Sequence, residues 1–90
     1  MRSPTLLAAW NRTVTAAPDA PALIDAAAAR TWSRRELDAR ATAWHATHGA
    51  AVAGRTIVFA EANGSEWLVL FLGLLKSDAV AVALDPGEPP

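Results

Sequence analysis

The run of residues 67–75 constrains the fold more than any other part of the chain. It reads Trp-Leu-Val-Leu-Phe-Leu-Gly-Leu-Leu and ends at Lys76-Ser77-Asp78. A helix that is apolar all round is stable in water only when other protein covers most of it. We therefore expect a core helix, for which 90 residues provide little covering polypeptide.

Short β-type runs lie on both sides of this helix. Residues 56–60 read Thr-Ile-Val-Phe-Ala, and residues 79–84 read Ala-Val-Ala-Val-Ala-Leu before Asp85-Pro86. The order strand–helix–strand is typical of two parallel strands joined by a right-handed crossover. Because parallel strands are normally covered on both faces, this unit predicts a piece of a larger α/β domain.

Two further helices and a hairpin are predicted in the first half of the chain. Ser3 as N-cap and Pro4 at the first helical position open a helix that Ala17-Pro18 ends. Its expected apolar stripe consists of Leu6, Leu7, Trp10 and Val14. After a turn at residues 18–21, residues 22–25 and 29–32 predict a hairpin.

A capping box predicts the start of the next helix. Ser33 and Glu36 have the required spacing, since each side chain can bond the backbone N–H of the other residue. Leu37, Ala41, Trp44 and His48 mark one face of this helix, with Gly49 as the stop and residues 50–54 as a loop. The fold class is thus α/β, and we expect residues 1–90 to form one unit, a fragment of a larger α/β domain, with a small, partly parallel sheet (one βαβ unit plus a hairpin) and about three helices.

Composition excludes several classes of protein. Hydrophobic residues make up 52% of the chain, which argues against disorder, and a net charge of −1 without a basic cluster argues against nucleic-acid binding. There is no cysteine and no apolar run near the ~20 residues that span a bilayer, and we expect no N-terminal signal peptide. We expect a cytoplasmic protein that is not inserted in a membrane.

The turn at residues 61–66 is where an open α/β sheet would place a ligand. Gly64 and Ser65 at a helix N-terminus are able to bind phosphate through backbone amides. However, Asn63 or Ser65 is explained as an N-cap, and the Glu66 carboxylate would repel a phosphate. Neither a G-x-G-x-x-G nor a P-loop motif is present.

The remaining polar residues have structural explanations. His45 and His48 are three apart on one helix and lack further ligands nearby, so they favour a surface position over a metal site. The aspartates and serines are separated along the chain and are predicted in turns, caps or helix surfaces: Asp19, Asp25, Asp38, Asp78, Asp85, Ser3, Ser33, Ser65 and Ser77. Four tryptophans, at positions 10, 32, 44 and 67, are expected in the core.

Five motifs in order resemble the N-terminal segment of the adenylate-forming, AMP-binding superfamily, which includes acyl-CoA synthetases and the adenylation domains of nonribosomal peptide synthetases. They are residues 17–23 (APDAPAL), 30–40 (RTWSRRELDAR), 63–67 (NGSEW), 72–76 (LGLLK) and 84–86 (LDP). The chain departs from the family pattern at three places. The family usually has glycine at Asp78, proline at Ala83 and Gly-Asp at Gly54-Arg55. Aspartate tolerates a left-handed conformation better than most residues, so Asp78 is compatible with the fold.

The resemblance implies a ligase that joins a carboxylate to AMP from ATP, with release of pyrophosphate, and then passes the acyl group to a thiol. Family members use magnesium, a phosphate loop rich in serine, threonine and glycine, and a lysine in a mobile C-terminal domain. None of those motifs occurs here, so no catalytic, cofactor-binding or metal-binding residue is assigned, and the chain alone is expected to be inactive.

Two alternatives stay open. One is a stand-alone α/β module that associates with itself or with a partner protein through its apolar surface. The other is a small nucleotide-binding or receiver-like domain, which the missing glycine loop disfavours. If the resemblance holds, the partner of this surface is the rest of the synthetase.

Overall fold

The computed structural model describes residues 4–26, 28–60 and 64–84. The order of its elements is α1 (Pro4–Ala16), β1 (Pro21–Asp25), β2 (Arg30–Ser33), α2 (Arg34–Val52), β3 (Thr56–Phe59), α3 (Ser65–Lys76) and β4 (Val80–Ala83). This confirms a mixed α/β fold with three helices, a hairpin and a βαβ unit.

The strands form two separate two-stranded sheets in the described part of the chain. In the hairpin, β1 and β2 are antiparallel, with Leu23 opposite Trp32 and Ile24 opposite Thr31. In the second sheet, β3 and β4 are parallel, with Thr56 opposite Val80 in register. The parallel pairing expected from the strand–helix–strand order is therefore confirmed, but the hairpin does not extend that sheet.

The hairpin contributes its inner face to the core. Trp32 is buried and belongs to a cluster with Leu37 of α2 and Val69 of α3, against which Leu23 also packs. Ile24 points the opposite way and is 74% exposed. This alternation follows from the two-residue period of a strand, because neighbouring side chains point to opposite faces.

The capping box at the start of α2 is present as predicted. Ser33 Oγ accepts from the backbone N–H of Glu36 at 3.1 Å, and Glu36 Oε1 accepts from the backbone N–H of Ser33 at 2.8 Å. The predicted end of the helix at Gly49 is wrong, since α2 continues to Val52 and Ala53 is its C-cap.

Gly49 is buried within α2 because it faces α3 closely. A Cβ atom built on it would lie 2.6 Å from His45 Nδ1 and 3.3 Å from Ser77 Oγ. The left-handed glycine after the helix is instead Gly54, with φ of 74°. Close helix packing therefore explains Gly49, whereas Gly54 has the conformation that glycine favours.

The N-terminal end of α3 differs from the prediction, and the C-terminal end agrees with it. Gly64 is the N-cap, without a side-chain capping bond, so Ser65 is not the N-cap and lies inside the helix; Asn63 lies outside the described residues. At the other end the helix stops at Lys76, as predicted, and Asp78 has φ of 58°. An aspartate in the left-handed region agrees with its tolerance for that conformation.

The chain covers α3 more completely than expected. Val69, Leu72, Leu74 and Leu75 are buried, and α2 packs along the helix. Close approach is possible at Gly73, where an added Cβ would lie 2.7 Å from Trp44 Cε3. The apolar residues of α3 thus form the centre of this fold.

The first helix contributes Leu7 and Trp10 to the core. The expectation for Leu6 is wrong, because it is 48% exposed. Leu7, Trp10 and Val14 are three and four residues apart, so they share one face while Leu6 lies beside it. The predicted N-cap, Ser3, lies outside the described residues.

Candidate functional site

The turn before α3 leads to Gly64 and Ser65, where the sequence allows phosphate binding through backbone amides. Residues 61–63 lie outside the described part, and Gly64 to Glu66 lie within it. Glu66 is exposed, and its Oε2 accepts from Arg40 Nη2 at 3.4 Å. Since the helix dipole favours an anion in this first turn, the Glu66 carboxylate already provides the negative charge that a phosphate would bring.

The two histidines of α2 have different neighbours. His45 Nδ1 lies 2.8 Å from Ser77 Oγ, just beyond the last turn of α3. The His48 ring packs against Trp44, with centroids 4.8 Å apart, although His48 itself is exposed. Among the residues that the structure describes, no group of three or more His, Cys, Asp or Glu side chains is placed to hold a metal ion.

The pairing of His45 with Ser77 is a structural contact between helices. The Ser77 hydroxyl donates its single proton to the carbonyl of Gly73 at 2.7 Å. His45 Nδ1 must then be the donor to Ser77 Oγ, so His45 is not positioned as a base that removes the serine proton. Ser77 is also only 3% exposed, which leaves it no access to a substrate.

Asp38 connects the three helices. Its Oδ1 accepts from Trp10 Nε1 of α1 at 2.9 Å and lies 2.8 Å from Lys76 Nζ of α3. The Lys76 side chain is 15% exposed and that of Asp38 is 28% exposed. The sequence places Asp38 on a helix surface, whereas the structure gives it a partly buried bridging position.

The other carboxylates are used in turns and exposed pairs. Asp25 Oδ1 accepts from the backbone N–H of Ala28 in the hairpin turn at 3.2 Å. Asp19 pairs with Arg35 at 3.2 Å, and both side chains are mostly exposed. Asp19 lies in the turn after α1, as predicted, Asp25 is the last residue of β1, and Asp85 lies outside the described residues.

Glu36 has the one pKa shift with a clear cause among the described groups. The backbone N–H of Ser33 bonds the carboxylate, and the charge of Arg30 acts in the same direction, so the pKa of Glu36 lies below its ordinary value of 4.5. Because the carboxylate belongs to the capping box, this shift is explained by helix capping and needs no catalytic role.

The Trp32 ring is covered by a cation. The Arg30 guanidinium carbon lies 3.6 Å from the ring centroid, and that of Arg40 lies 5.6 Å away. Both arginines are also paired with glutamates, Arg30 with Glu36 and Arg40 with Glu66. Trp32 Nε1 is buried without a hydrogen-bond partner among the described residues. The ion pairs with Glu36 and Glu66 neutralise the two arginines locally, as expected of a structural cation–π arrangement.

The outer face of the β3–β4 sheet, which we define by Val58, Val80 and Val82, exposes apolar side chains that no contact among the described residues explains. These side chains are 58%, 40% and 37% exposed. The parallel register places Val58 directly opposite Val82. On the other face, Phe59 packs against Trp67 of α3, with ring centroids 5.9 Å apart.

The apolar character of α3 is the stronger signal in the sequence, and it does not reveal the outer face of the sheet. The signal was nevertheless present, since valine alternates with alanine in β4 and Val58 shares that period. Both strands also have an unpaired edge in the described part of the chain. A sheet covered on one face only is unusual for parallel strands.

No protein-family model matches the chain, and no curated protein matches it. In the helices that the structure describes, none combines the length and the apolar character required to cross a bilayer.

Proposed function

We propose that this chain is the N-terminal scaffold subdomain of an AMP-dependent acyl-CoA synthetase-like ligase, and that it is inactive by itself. In this proposal ATP, magnesium, the acyl substrate and the thiol acceptor are bound by other parts of the protein. A cytoplasmic location belongs to the proposal, because a chain without cysteine gains no stability from an oxidising compartment.

One observation carries this proposal: the parallel β3–β4 pair has α3 on one face and exposed valines on the other. Parallel strands occur almost only in sheets whose two faces are both covered. Burial of the outer face would stabilise the protein by about 25 cal/mol for each Å² of apolar surface removed from water. An additional polypeptide layer on this face would complete an α/β sandwich.

The end of α3 adds a second, smaller support. The family resemblance places a glycine at position 78, and a glycine after a helix commonly has a left-handed conformation. Asp78 has φ of 58°, so this chain has the backbone conformation that such a glycine would favour. The substitution is therefore compatible with the resemblance.

A second candidate function is favoured by the same outer face. Exposed apolar surface commonly marks an interaction site, so a small module that associates with itself or a partner protein would also use Val58, Val80 and Val82. The two functions differ in what covers the valines: the rest of a ligase in the first, and a separate chain in the second.

An exchange assay tests the predicted inactivity. We expect no incorporation of labelled pyrophosphate into ATP when the purified chain is incubated with magnesium, ATP and a panel of carboxylic and amino acids. The described carboxylates are used in caps, turns and ion pairs, which supports this expectation. A full-length acyl-CoA synthetase serves as the positive control, and measurable exchange by this chain would overturn the proposal.

The gene sequence beyond the Pro90 codon distinguishes between the two candidate functions. We expect the genomic DNA beyond the Pro90 codon to continue in frame and to encode a phosphate loop rich in serine, threonine and glycine. Expression of that longer reading frame should then give exchange activity. A stop codon at that point would overturn the scaffold proposal and favour the self-associating module.

A further inference from the structure

We draw no further inference here: the strongest candidate, the outer face of the β3–β4 sheet formed by Val58, Val80 and Val82, carries nothing beyond the proposal above, because nothing in the structure shows what covers it.

Discussion

Glu36 illustrates how a single residue combines two local effects at the start of α2. Its carboxylate accepts the backbone N–H of Ser33, and it also pairs with Arg30 at 3.1 Å. The first contact satisfies a donor that the helix leaves unbonded, and the negative charge lies at the positive end of the helix dipole. Both effects stabilise the ionised form of the Glu36 side chain.

The substitution Glu36→Gln tests this ionisation. The pKa of Glu36 is lower in the folded chain than its ordinary value of 4.5, so the folded state binds its proton more weakly than the unfolded state does. The stabilisation is therefore complete above about pH 4.5 and is lost as the pH falls through the lower folded value. We expect Glu36→Gln to lower Tm at pH 7 and to have less effect at pH 3.

Thermal unfolding from pH 3 to pH 7 measures this difference. Glu66→Gln is the matched control, because it removes another exposed carboxylate that is paired with an arginine but lies outside the capping box. An equal loss of Tm by Glu36→Gln at both ends of the pH range would contradict the assignment.

The substitution Gly73→Ala tests the close packing of α2 against α3. A Cβ at this position would lie 2.7 Å from Trp44 Cε3, closer than real contacts allow, and 3.0 Å from Cδ2, which is tighter than most real contacts. We expect Gly73→Ala to destabilise the chain by ~1–3 kcal/mol through overpacking, despite the gain of about 1 kcal/mol in helix propensity. Urea unfolding provides the free energies.

A double-mutant cycle identifies the cause of that loss. In a Trp44→Ala background the indole is absent and only the Cβ atom of residue 44 remains, 3.3 Å from the added methyl group, so Gly73→Ala should cost much less than in the wild-type background. If Gly73→Ala is equally destabilising with and without Trp44, the steric explanation is wrong.

Among the elements, the three helices are joined by one carboxylate. Asp38 of α2 receives a hydrogen bond from Trp10 of α1 and an ion pair from Lys76 of α3. When one partner of a partly buried ion pair is removed, the remaining charge keeps its desolvation cost. It loses the favourable interaction that offset this cost. The Asp38 bridge is thus expected to contribute more to the free energy of unfolding than an ion pair at the surface does.

We expect Asp38→Ala to lower the free energy of unfolding by ~1–3 kcal/mol, since it leaves the Trp10 donor and the Lys76 ammonium without this acceptor. Asp19→Ala is the matched control, because Asp19 forms a single ion pair in which its side chain is 84% exposed. That loss should be ~0–1 kcal/mol. Urea unfolding of both variants checks the difference, and equal losses would show that Asp38 does not bridge the helices.

For the molecule as a whole, the exposed large apolar side chains among the described residues lie mainly on the strands, and none lies on α3. The valines of the outer face lie side by side in register, whereas Ile24 of the hairpin is a single exposed residue with Thr31 opposite it. Contiguous apolar side chains promote association, while scattered ones are normal on protein surfaces. Only the outer face of the β3–β4 sheet is expected to cause association.

We expect the isolated chain to associate at high concentration, and the double variant Val58→Lys, Val82→Lys to shift its mass towards 9.4 kDa. Lysine is tolerated on a solvent-facing strand and opposes edge-to-edge pairing. Light scattering over a concentration series measures the mass. Ile24→Lys is the matched control and should change nothing, and a wild-type chain that is monomeric throughout would contradict this expectation.

The sequence by itself determined the local features of this protein. The Ser33–Glu36 capping box, the helix end before Pro18 and the strand–helix–strand order were all readable, because each depends on residues close together in the chain. The family resemblance, too, comes from the sequence and stays a prediction.

Only the tertiary structure decided which surfaces are buried and which polar groups meet. The sequence predicts a helix end at Gly49 because nothing nearby in the sequence reveals its contact with Ser77. The bridge at Asp38 joins residues 28 positions apart on one side, and the valines of the outer face are exposed because α3 covers the opposite side of their sheet. Such contacts depend on how distant segments pack, which local propensity and periodicity do not specify.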